Sequence, residues 1–353
     1  MATANPHDRR ADLDYVLAMR RRWADTLYPA LRSEYDDAAG DAAPADRKAA
    51  SDLARTLSIY PWFAWMERGS QKMLWRAVEN AVADEPPIPT PEAPKGELRL
   101  DPALQMPSWY TDWDIHVQPG GVWHSDMSAH TYELGAKLVM LGGNDDYTFH
   151  RAFVETCLEP LKGREVTRCI DLGCGFGKST WPLKRAFPDA EIIGIDLAAP
   201  CLRLAHAKSE GLGLPVIYIQ ADVQETGLEA GSADLVTSTM LLHEVPRPAL
   251  EKIIAEAARL LKPGGILRML DFQYTGEPFR DLAVMEHGAR NNEPFMPGAL
   301  AADTVGMCEA AGLANARWVA FDERGAGRLD ALAWPKRREW HFPWAVLEAE
   351  KPL

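Results

Sequence analysis

Apolar positions follow a helical period in the N-terminal third of the chain. Apolar side chains recur three and four residues apart, at Leu13, Val16, Leu17, Trp23, Ala24, Leu27 and Leu31. Arg20, Arg21 and Arg22 fall mostly between these positions, so we expect them on a solvated face. A second helical stretch is predicted over about residues 47–83, interrupted at Pro61.

From about residue 166 the pattern changes to short apolar runs that alternate with helical segments. Five runs predict strands: VTRCIDL, AEIIGID, PVIYIQAD, ADLVTST and GILRMLDF. The clearest helix, residues 248–261, begins at a proline and is followed by the stop signal KPGG. Repeated strand–helix units predict an α/β fold, with a mostly parallel sheet covered by helices on both faces. Ligands of such sheets bind outside the carboxyl ends of the strands.

A proline-rich stretch, EPPIPTPEAPKG, separates the helical part from the rest. Five prolines in these twelve residues exclude a helix or a central strand and predict a linker. We therefore divide the chain into a helical N-terminal region (1–96), an aromatic-rich lid or connector (97–160) and an α/β domain (161–353). The N-terminal helices are a candidate interface for a homodimer.

Composition narrows the classes of partner. The chain has 353 residues, 47% of them apolar, and a net charge of −13, which argues against nucleic-acid binding through Lys and Arg. Its five cysteines are scattered without a CxxC pair, as is typical of reduced thiols. The first ten residues lack the apolar segment of a signal peptide, and no apolar run suits a membrane span. We expect a cytoplasmic protein without a membrane partner.

The stretch CIDLGCGFGKST carries the first candidate ligand site. Gly173, Gly175 and Gly177 form GxGxG behind a predicted strand, whereas the dinucleotide fingerprint GxGxxG would place its third glycine at Lys178. Asp171 would repel a pyrophosphate and attract a ligand with ammonium and sulfonium cations. A nicotinamide-dependent oxidoreductase is therefore the weaker alternative.

Two further acids end the next two predicted strands. Asp196 ends IIGID, where a carboxylate can accept hydrogen bonds from vicinal ribose hydroxyls. Asp222 ends IYIQAD, where it can accept a hydrogen bond from an adenine amino group while the Val223 backbone contacts a ring nitrogen. Three acids at successive strand ends indicate a nucleoside ligand with a cationic tail.

The motifs DLGCGFGKST, GIDLAAP, QADVQE and LLKPGG resemble the successive motifs of class I S-adenosylmethionine-dependent methyltransferases, over about residues 165–350. The resemblance implies a Rossmann-like sheet of about seven strands with the last one inserted antiparallel, and S-adenosylmethionine as the cofactor. It also implies places in the cofactor site: Asp171, Gly173, Gly175 and Gly177 around the methionine moiety, Asp196 at the ribose, and Asp222 and Val223 at the adenine. Leu197, next to Asp196, is a further candidate cofactor-binding residue.

Two regions are candidates for the methyl acceptor and its proton. His243, followed by Glu244, comes after the fourth strand, where it is either a general base or a packing residue near the cofactor. Residues 107–135 mix aromatic and titratable side chains and form either a substrate lid or packing. From this segment we select His124 for proton handling and Trp109, Tyr110, Trp123 and Tyr132 for the substrate.

Two weaker candidates complete the site. In HGARNNEPFMPG, Arg290 and Asn291 are candidates to bind a carboxylate or carbonyl, although a solvated loop is the alternative. The spacing of His116, His124 and His130 matches no metal motif, so no metal is expected.

The favoured function is a methyltransferase that moves a methyl group from S-adenosylmethionine to an oxygen or nitrogen of a small organic molecule. The transfer is an in-line displacement that depends mainly on alignment. MLLHEVPRP lacks the Asn-Pro-Pro-Tyr box found in nucleic-acid branches of the resembled family, which further disfavours nucleic acid. The alternative is a protein that binds S-adenosylmethionine without turnover and acts as a scaffold or regulator.

Overall fold

A computed structural model describes residues 6–41, 43–144 and 146–353. The chain begins with four helices: α1 (Pro6–Arg22), α2 (Tyr28–Ala39), α3 (Arg47–Ala54) and α4 (Tyr60–Val82), with a π-helical turn, Trp23–Leu27, between α1 and α2. The predicted helical N-terminus is thus confirmed. Pro61 lies in the first turn of α4, where a missing N–H costs no hydrogen bond. The predicted interruption therefore lies before Pro61, between the end of α3 and the start of α4. The first ten residues were predicted to lack a signal peptide, and residues 1–5 of that segment lie outside the described residues.

The basic triplet at the end of α1 does not share one solvated face. Arg21 and Arg22 are exposed, but Arg20 is only 6% exposed and its Nη1 donates to Gln71 Oε1 at 2.5 Å. Arg20 lies one helical turn after Val16, which is buried against α4. The prediction of a solvated face is therefore wrong for Arg20, because α4 covers that side of α1.

The connector region carries short elements and two longer helices. These are β1 (Glu97–Arg99), α5 (Ser108–Thr111), a 3₁₀ turn (Ile115–Val117), α6 (Asp126–Leu138), α7 (Thr148–Cys157) and a 3₁₀ turn (Glu159–Leu161). The preceding proline-rich stretch is neither helix nor strand, as predicted. Because β1 pairs in parallel with β4, residues 97–99 belong to the sheet. The division of the chain into three regions stays a prediction.

The remaining strands join β1 in one mixed sheet, and further helices connect them. The strands are β2 (Arg168–Leu172), β3 (Glu191–Asp196), β4 (Ile217–Gln220), β5 (Ala233–Thr239), β6 (Leu261–Phe272), β7 (Ala314–Asp322), β8 (Gly327–Arg328) and β9 (Trp344–Glu350). The helices are α8 (Thr180–Ala186), α9 (Ala199–Gly211), α10 (Arg247–Leu260), α11 (Pro278–Arg290), α12 (Met296–Leu300) and α13 (Thr304–Ala310), and a 3₁₀ turn covers Leu242–Glu244.

Strand order confirms the predicted α/β architecture. The order is β1-β4-β3-β2-β5-β6-β9-β7-β8, with β1 to β6 parallel. The last strand, β9, lies between β6 and β7 and is antiparallel to both, as the resemblance implied. The sheet has nine strands where about seven were expected, because β1 and the two-residue β8 extend its edges.

Both faces of the sheet are buried, as its continuous apolar strands require. Successive residues of β2 face opposite sides: Cys169 packs in the cluster that includes Trp23 and Phe63, and Ile170 packs in the cluster under α10. The N-terminal helices therefore share a hydrophobic core with the sheet. This shared core places them against the strand ends where ligands are expected.

The cysteines and helix lengths agree with the composition. All five cysteines are buried and free, as expected for reduced thiols. Within the described ranges, no helix combines the length and apolar character that crossing a bilayer requires.

Gly177→Ala should destabilise the fold more than Gly213→Ala. Both glycines have a left-handed backbone (φ +92° and +69°), but a Cβ at position 177 would lie 2.8 Å from Tyr218 Oη and 2.9 Å from Trp181 Nε1, whereas nothing lies within 4 Å at position 213. We expect losses in the free energy of unfolding of about 2–4 kcal/mol at 177 and about 1 kcal/mol at 213. Urea denaturation measures both, and equal losses would contradict the crowding argument.

Candidate functional site

A cleft opens at the carboxyl ends of β2 to β5, beneath residues 109–123 and α6. The structure brings ten of the predicted site residues into its lining: Trp109, Tyr110, Trp123, Tyr132, Gly173, Gly175, Asp196, Leu197, Asp222 and Val223. The candidate site therefore combines strand-end residues with the aromatic segment that precedes α6. The cofactor and substrate roles assigned to these residues remain predictions.

The glycine-rich turn after β2 forms one wall of the cleft. Gly173 and Gly175 line it with φ values of +69° and +52°, a left-handed backbone that glycine adopts without strain. The Gly175 N–H donates to Asp196 Oδ2 at 2.8 Å, which ties the turn to the end of β3. Gly177 is outside the lining and packs against Tyr218 and Trp181. Its contribution is to the shape of the turn.

Asp171 is buried beneath the turn and does not line the cleft. Its Oδ2 accepts hydrogen bonds from Ser179 Oγ at 2.8 Å and Thr180 Oγ1 at 2.7 Å. Burial raises the pKa of Asp171 to about 6 in spite of these bonds. Its Oδ1 is also buried and has no partner among the described residues.

Asp196 and Asp222 both face the cleft. Asp196 Oδ1 accepts from the Ala198 N–H at 2.8 Å, and burial raises the pKa of Asp196 against the backbone hydrogen bonds that lower it. Asp222 Oδ1 accepts from the Gln224 N–H at 2.8 Å. Each carboxylate is thus oriented by local N–H groups and keeps further lone pairs for ligand hydroxyl or amino groups.

Five alternating acids and histidines form a connected chain at the end of the cleft. His243 lies between Asp271 (Nδ1 to Oδ1, 2.6 Å) and Glu244 (Nε2 to Oε1, 3.3 Å). His116 lies between the same Glu244 oxygen (2.9 Å from Nε2) and Glu293 Oε1 (3.0 Å from Nδ1). We call Asp271, His243, Glu244, His116 and Glu293 the acid–histidine chain. Sequence reasoning assigned a role only to His243 and considered Glu244 beside it.

Charge coupling sets the protonation of this chain. Burial lowers the pKa of His116, but Glu244 and Glu293 more than compensate and raise it to about 10. Burial opposes the charged form of His243 as well, yet Asp271 and Glu244 hold its pKa well above the ordinary value. Burial raises the pKa of Glu244, but the two histidines hold it well below the ordinary range. The contacts within the chain therefore favour the protonated form of both histidines and the ionised form of Glu244.

Two oxygens of the acid–histidine chain, Glu293 Oε2 and Glu244 Oε2, lack a partner among the described residues, but Glu293 lines only the inner of two adjoining cavities, whereas Glu244 lines both. Glu244 is therefore the member that both cavities share. Its Oε2 is buried and makes no hydrogen bond in that part of the protein. Both ring nitrogens of His243 are already engaged. Glu244 is therefore better suited than His243 to accept a proton. His243 instead holds Glu244 in position.

A second cavity, the inner pocket, lies behind the cleft. Five residues line both: His116, Tyr132, Lys178, Met240 and Glu244. Arg20 and four aromatic residues line the inner pocket but not the cleft: Trp75, Phe272, Phe342 and Trp344. Two ligands, one in each cavity, would meet at the shared residues.

The backbone at His116 is strained and held in place. His116 and the β-branched Val117 both have left-handed φ values, 59° and 64°, which cost on the order of 1–3 kcal/mol each. The His116 carbonyl accepts from Gln71 Nε2 at 3.0 Å and Trp75 Nε1 at 2.5 Å, so α4 supports this conformation. Strain of this kind is concentrated at functional sites.

Besides Asp171 and Gly177, which lie behind the cleft wall, three predicted residues line neither cavity. His124 is exposed beside Trp123 and lines neither cavity, which corrects its assignment to proton handling. Arg290 is bound by Glu67 and Glu286, and Asn291 donates to the His287 carbonyl at 2.8 Å. Neither lines either cavity, because the predicted loop instead forms the buried end of α11 and the start of α12. In the described ranges, no three His, Cys, Asp or Glu side chains are grouped to hold a metal ion.

Comparison with known proteins agrees with this geometry. Residues 169–265 match the family described as "Methyltransferase domain". Demethylmenaquinone methyltransferase of Thermus thermophilus is 33% identical over 141 residues, 40% of this chain and 60% of that protein. A ubiquinone biosynthesis O-methyltransferase of Nitrosococcus oceani is 38% identical over 99 residues, 28% of this chain and 40% of that protein. The chain thus matches three fifths or less of the length of these relatives.

Among solved structures, phosphoethanolamine N-methyltransferase 2 of Haemonchus contortus with S-adenosyl-L-methionine has a TM-score of 0.47 at 16% identity, covering 65% of this chain and 58% of that one. A likeness at this level adds nothing to the assignment. The family match over residues 169–265 confirms the resemblance to class I S-adenosylmethionine-dependent methyltransferases. The chain contains a methyltransferase domain, and S-adenosylmethionine is the cofactor that such a domain uses.

Asp196→Asn should weaken cofactor binding. The substitution keeps the shape of the side chain but removes the charge that would strengthen the predicted hydrogen bonds to ribose hydroxyls, each worth about 1.5–3 kcal/mol. We expect the Kd for S-adenosylmethionine to rise about ten-fold or more in calorimetric titration. Exposed Asp189→Asn, in the turn before β3, is the control and should leave the Kd unchanged. An unchanged Kd for Asp196→Asn would remove this residue from the cofactor site.

Lys178→Met should stabilise the ligand-free protein at neutral pH. Burial lowers the pKa of Lys178 from 10.5 to about 8, so the charged ammonium costs stability in the folded state. Between about pH 8 and pH 10.5 Lys178 is protonated in the unfolded chain but largely neutral in the folded protein. The loss of stability caused by the buried ammonium therefore disappears as the pH rises through this range. We expect a gain in the free energy of unfolding of about 1–3 kcal/mol at pH 7 that shrinks towards pH 10.

Urea denaturation across this pH range measures the effect, with exposed Lys72→Met on α4 as the control. Parallel stability curves for Lys178→Met and the unmodified protein would show that the Lys178 ammonium carries no such cost.

Proposed function

We propose that this protein transfers a methyl group from S-adenosylmethionine in the cleft to a small organic acceptor in the inner pocket. The observation that carries the proposal is the wall shared by the two cavities, where Glu244 presents an unpartnered oxygen. A donor and an acceptor on either side of this wall would meet next to a proton-accepting group.

The residues of the chain would supply alignment and proton transfer. S-adenosylmethionine supplies an activated methyl group, so the protein has mainly to align the acceptor, which can contribute about 7–11 kcal/mol. Trp109, Tyr110 and Trp123 line the cleft as an aromatic lid. Glu244 takes the proton that the acceptor loses, and His243, held by Asp271, keeps Glu244 in position.

Oxygen or nitrogen is the favoured acceptor atom, because a hydroxyl or amino group is what needs a proton acceptor on transfer. The name of the Nitrosococcus relative, an O-methyltransferase, supports oxygen. A cytoplasmic location remains a prediction. A homodimer that forms through the N-terminal helices also remains a prediction. Trp62 and Trp65 are exposed on α4 and would form part of its interface.

Glu244→Gln should abolish most turnover and leave cofactor binding intact. The amide keeps the shape of the side chain but cannot accept the proton, so we expect kcat to fall about 10²- to 10⁴-fold. The assay is S-adenosylhomocysteine formation with a panel of phenols, carboxylic acids and amines, beside calorimetric titration with S-adenosylmethionine. Glu251→Gln, exposed on α10, is the matched control. Full activity of Glu244→Gln would refute the role of Glu244.

The same panel separates methyl transfer from a scaffold that only binds the cofactor. Tight S-adenosylmethionine binding without S-adenosylhomocysteine formation for every acceptor would favour the scaffold. Tight NAD binding without S-adenosylmethionine binding would point to an oxidoreductase.

A further inference from the structure

Arg20 is a buried cation for which the described residues supply no salt bridge. Its side chain lines the inner pocket and is 6% exposed. Nη1 donates to the neutral Gln71 Oε1 at 2.5 Å, and Nε is buried without a hydrogen-bond partner in the described ranges. A buried charge that lacks a counter-ion and has only some of its N–H groups hydrogen-bonded is costly, so this position calls for a further partner.

The nearby acid is already committed to other cations. Glu67 is 3% exposed and close enough to raise the pKa of Arg20, although burial lowers that pKa overall, to about 10. Glu67 Oε1 contacts His287 Nδ1 at 2.6 Å, and its Oε2 contacts Arg290 Nη1 at 2.7 Å. Glu67 therefore makes no salt bridge with Arg20, whose side chain lines the inner pocket and also a neighbouring cavity beside Glu323. The guanidinium thus has no counter-ion among the described residues.

Aromatic rings make up part of the inner-pocket lining that also contains Arg20. Phe272 stacks on Phe342 (centroids 4.9 Å apart, planes at 29°) and on Trp344 (4.5 Å, 29°). Trp75 also lines the inner pocket. Aromatic walls of this kind favour a planar ring, which stacks on them with its polar groups at the edges.

A hydrogen-bonded path links Arg20 to the proton acceptor. Gln71 accepts from Arg20 and donates through Nε2 to the His116 carbonyl at 3.0 Å, and His116 Nε2 contacts Glu244 at 2.9 Å. Arg20 and Glu244 both line the inner pocket. The pocket therefore offers an anion-binding group and a proton-accepting group held in a fixed relation.

We propose that the inner pocket binds a small aromatic acid, with its carboxylate on Arg20, its ring against Phe272 and Trp75, and a hydroxyl or amino group directed to Glu244. This inference rests on the proposed methyl transfer and names its acceptor class. The planar guanidinium suits a carboxylate because both can form two parallel hydrogen bonds.

Calorimetric titration tests this class on the full chain saturated with S-adenosylhomocysteine. The probes are the hydroxybenzoates, aminobenzoates and hydroxynaphthoates, each beside its neutral primary amide. We expect at least one acid to bind about ten-fold or more tightly than its amide, the usual worth of a charge-assisted hydrogen bond. The absence of binding by every acid, or equal binding of acids and amides, would overturn the proposal.

Arg20→Gln should remove the preference for the acid, whereas Arg22→Gln, exposed on the same helix, should keep it. A preference that survives in Arg20→Gln would also overturn the proposal. Arg20→Lys retains the charge without the planar fork and should retain part of the preference. The comparison of acids with amides on the unmodified protein needs no variant, so it decides the question even if Arg20→Gln does not fold.

Failure of this inference can be told apart from failure of the proposed function. Methylation of a neutral acceptor, with no preference for acids, would leave methyl transfer standing and remove the anion site. Absence of S-adenosylmethionine binding would remove both.

Discussion

The acid–histidine chain is the constraint on which the candidate site depends. It joins β6 through Asp271, the turn after β5 through His243 and Glu244, the segment before α6 through His116, and the residues after α11 through Glu293. Buried charges are tolerated because acids and bases alternate, and removing one leaves its neighbour uncompensated at a cost of about 3–5 kcal/mol. The lid segment therefore cannot take its position independently of the sheet.

The two cavities that meet at the acid–histidine chain differ in their charged side chains. The cleft presents Asp196 and Asp222, whereas the inner pocket has Arg20, for which the described residues supply no salt bridge, together with Glu293. Glu244, His116 and Lys178 line both cavities. The charge of a ligand group therefore decides which end of the inner pocket suits it, since Arg20 attracts an anion and Glu244 and Glu293 repel it.

The pattern of apolar and polar residues predicted those parts of the site whose positions depend on nearby residues in the sequence. The strand-end positions of Asp196 and Asp222 follow from apolar periodicity, since parallel strands end at one edge of the sheet. The role of His116 depends on Glu293, 177 residues away, and no spacing rule links them. The periodicity of α1 showed which side is apolar but not that α4 also covers Arg20, so a buried cation resembled a solvated one.

Neighbouring residues in one 3₁₀ turn take different roles because of what each one faces. His243 contacts Asp271 with one nitrogen and Glu244 with the other, while Glu244 keeps an oxygen free at the shared wall. The low pKa of Glu244 makes it a weak base, since the two adjacent imidazolium ions oppose its protonation. A weak base is sufficient for a hydroxyl acceptor, because the hydroxyl group becomes strongly acidic as its oxygen forms the bond to the methyl group. The proton can then move to Glu244 late in the reaction, when the methylated oxygen is a stronger acid than the Glu244 carboxyl group.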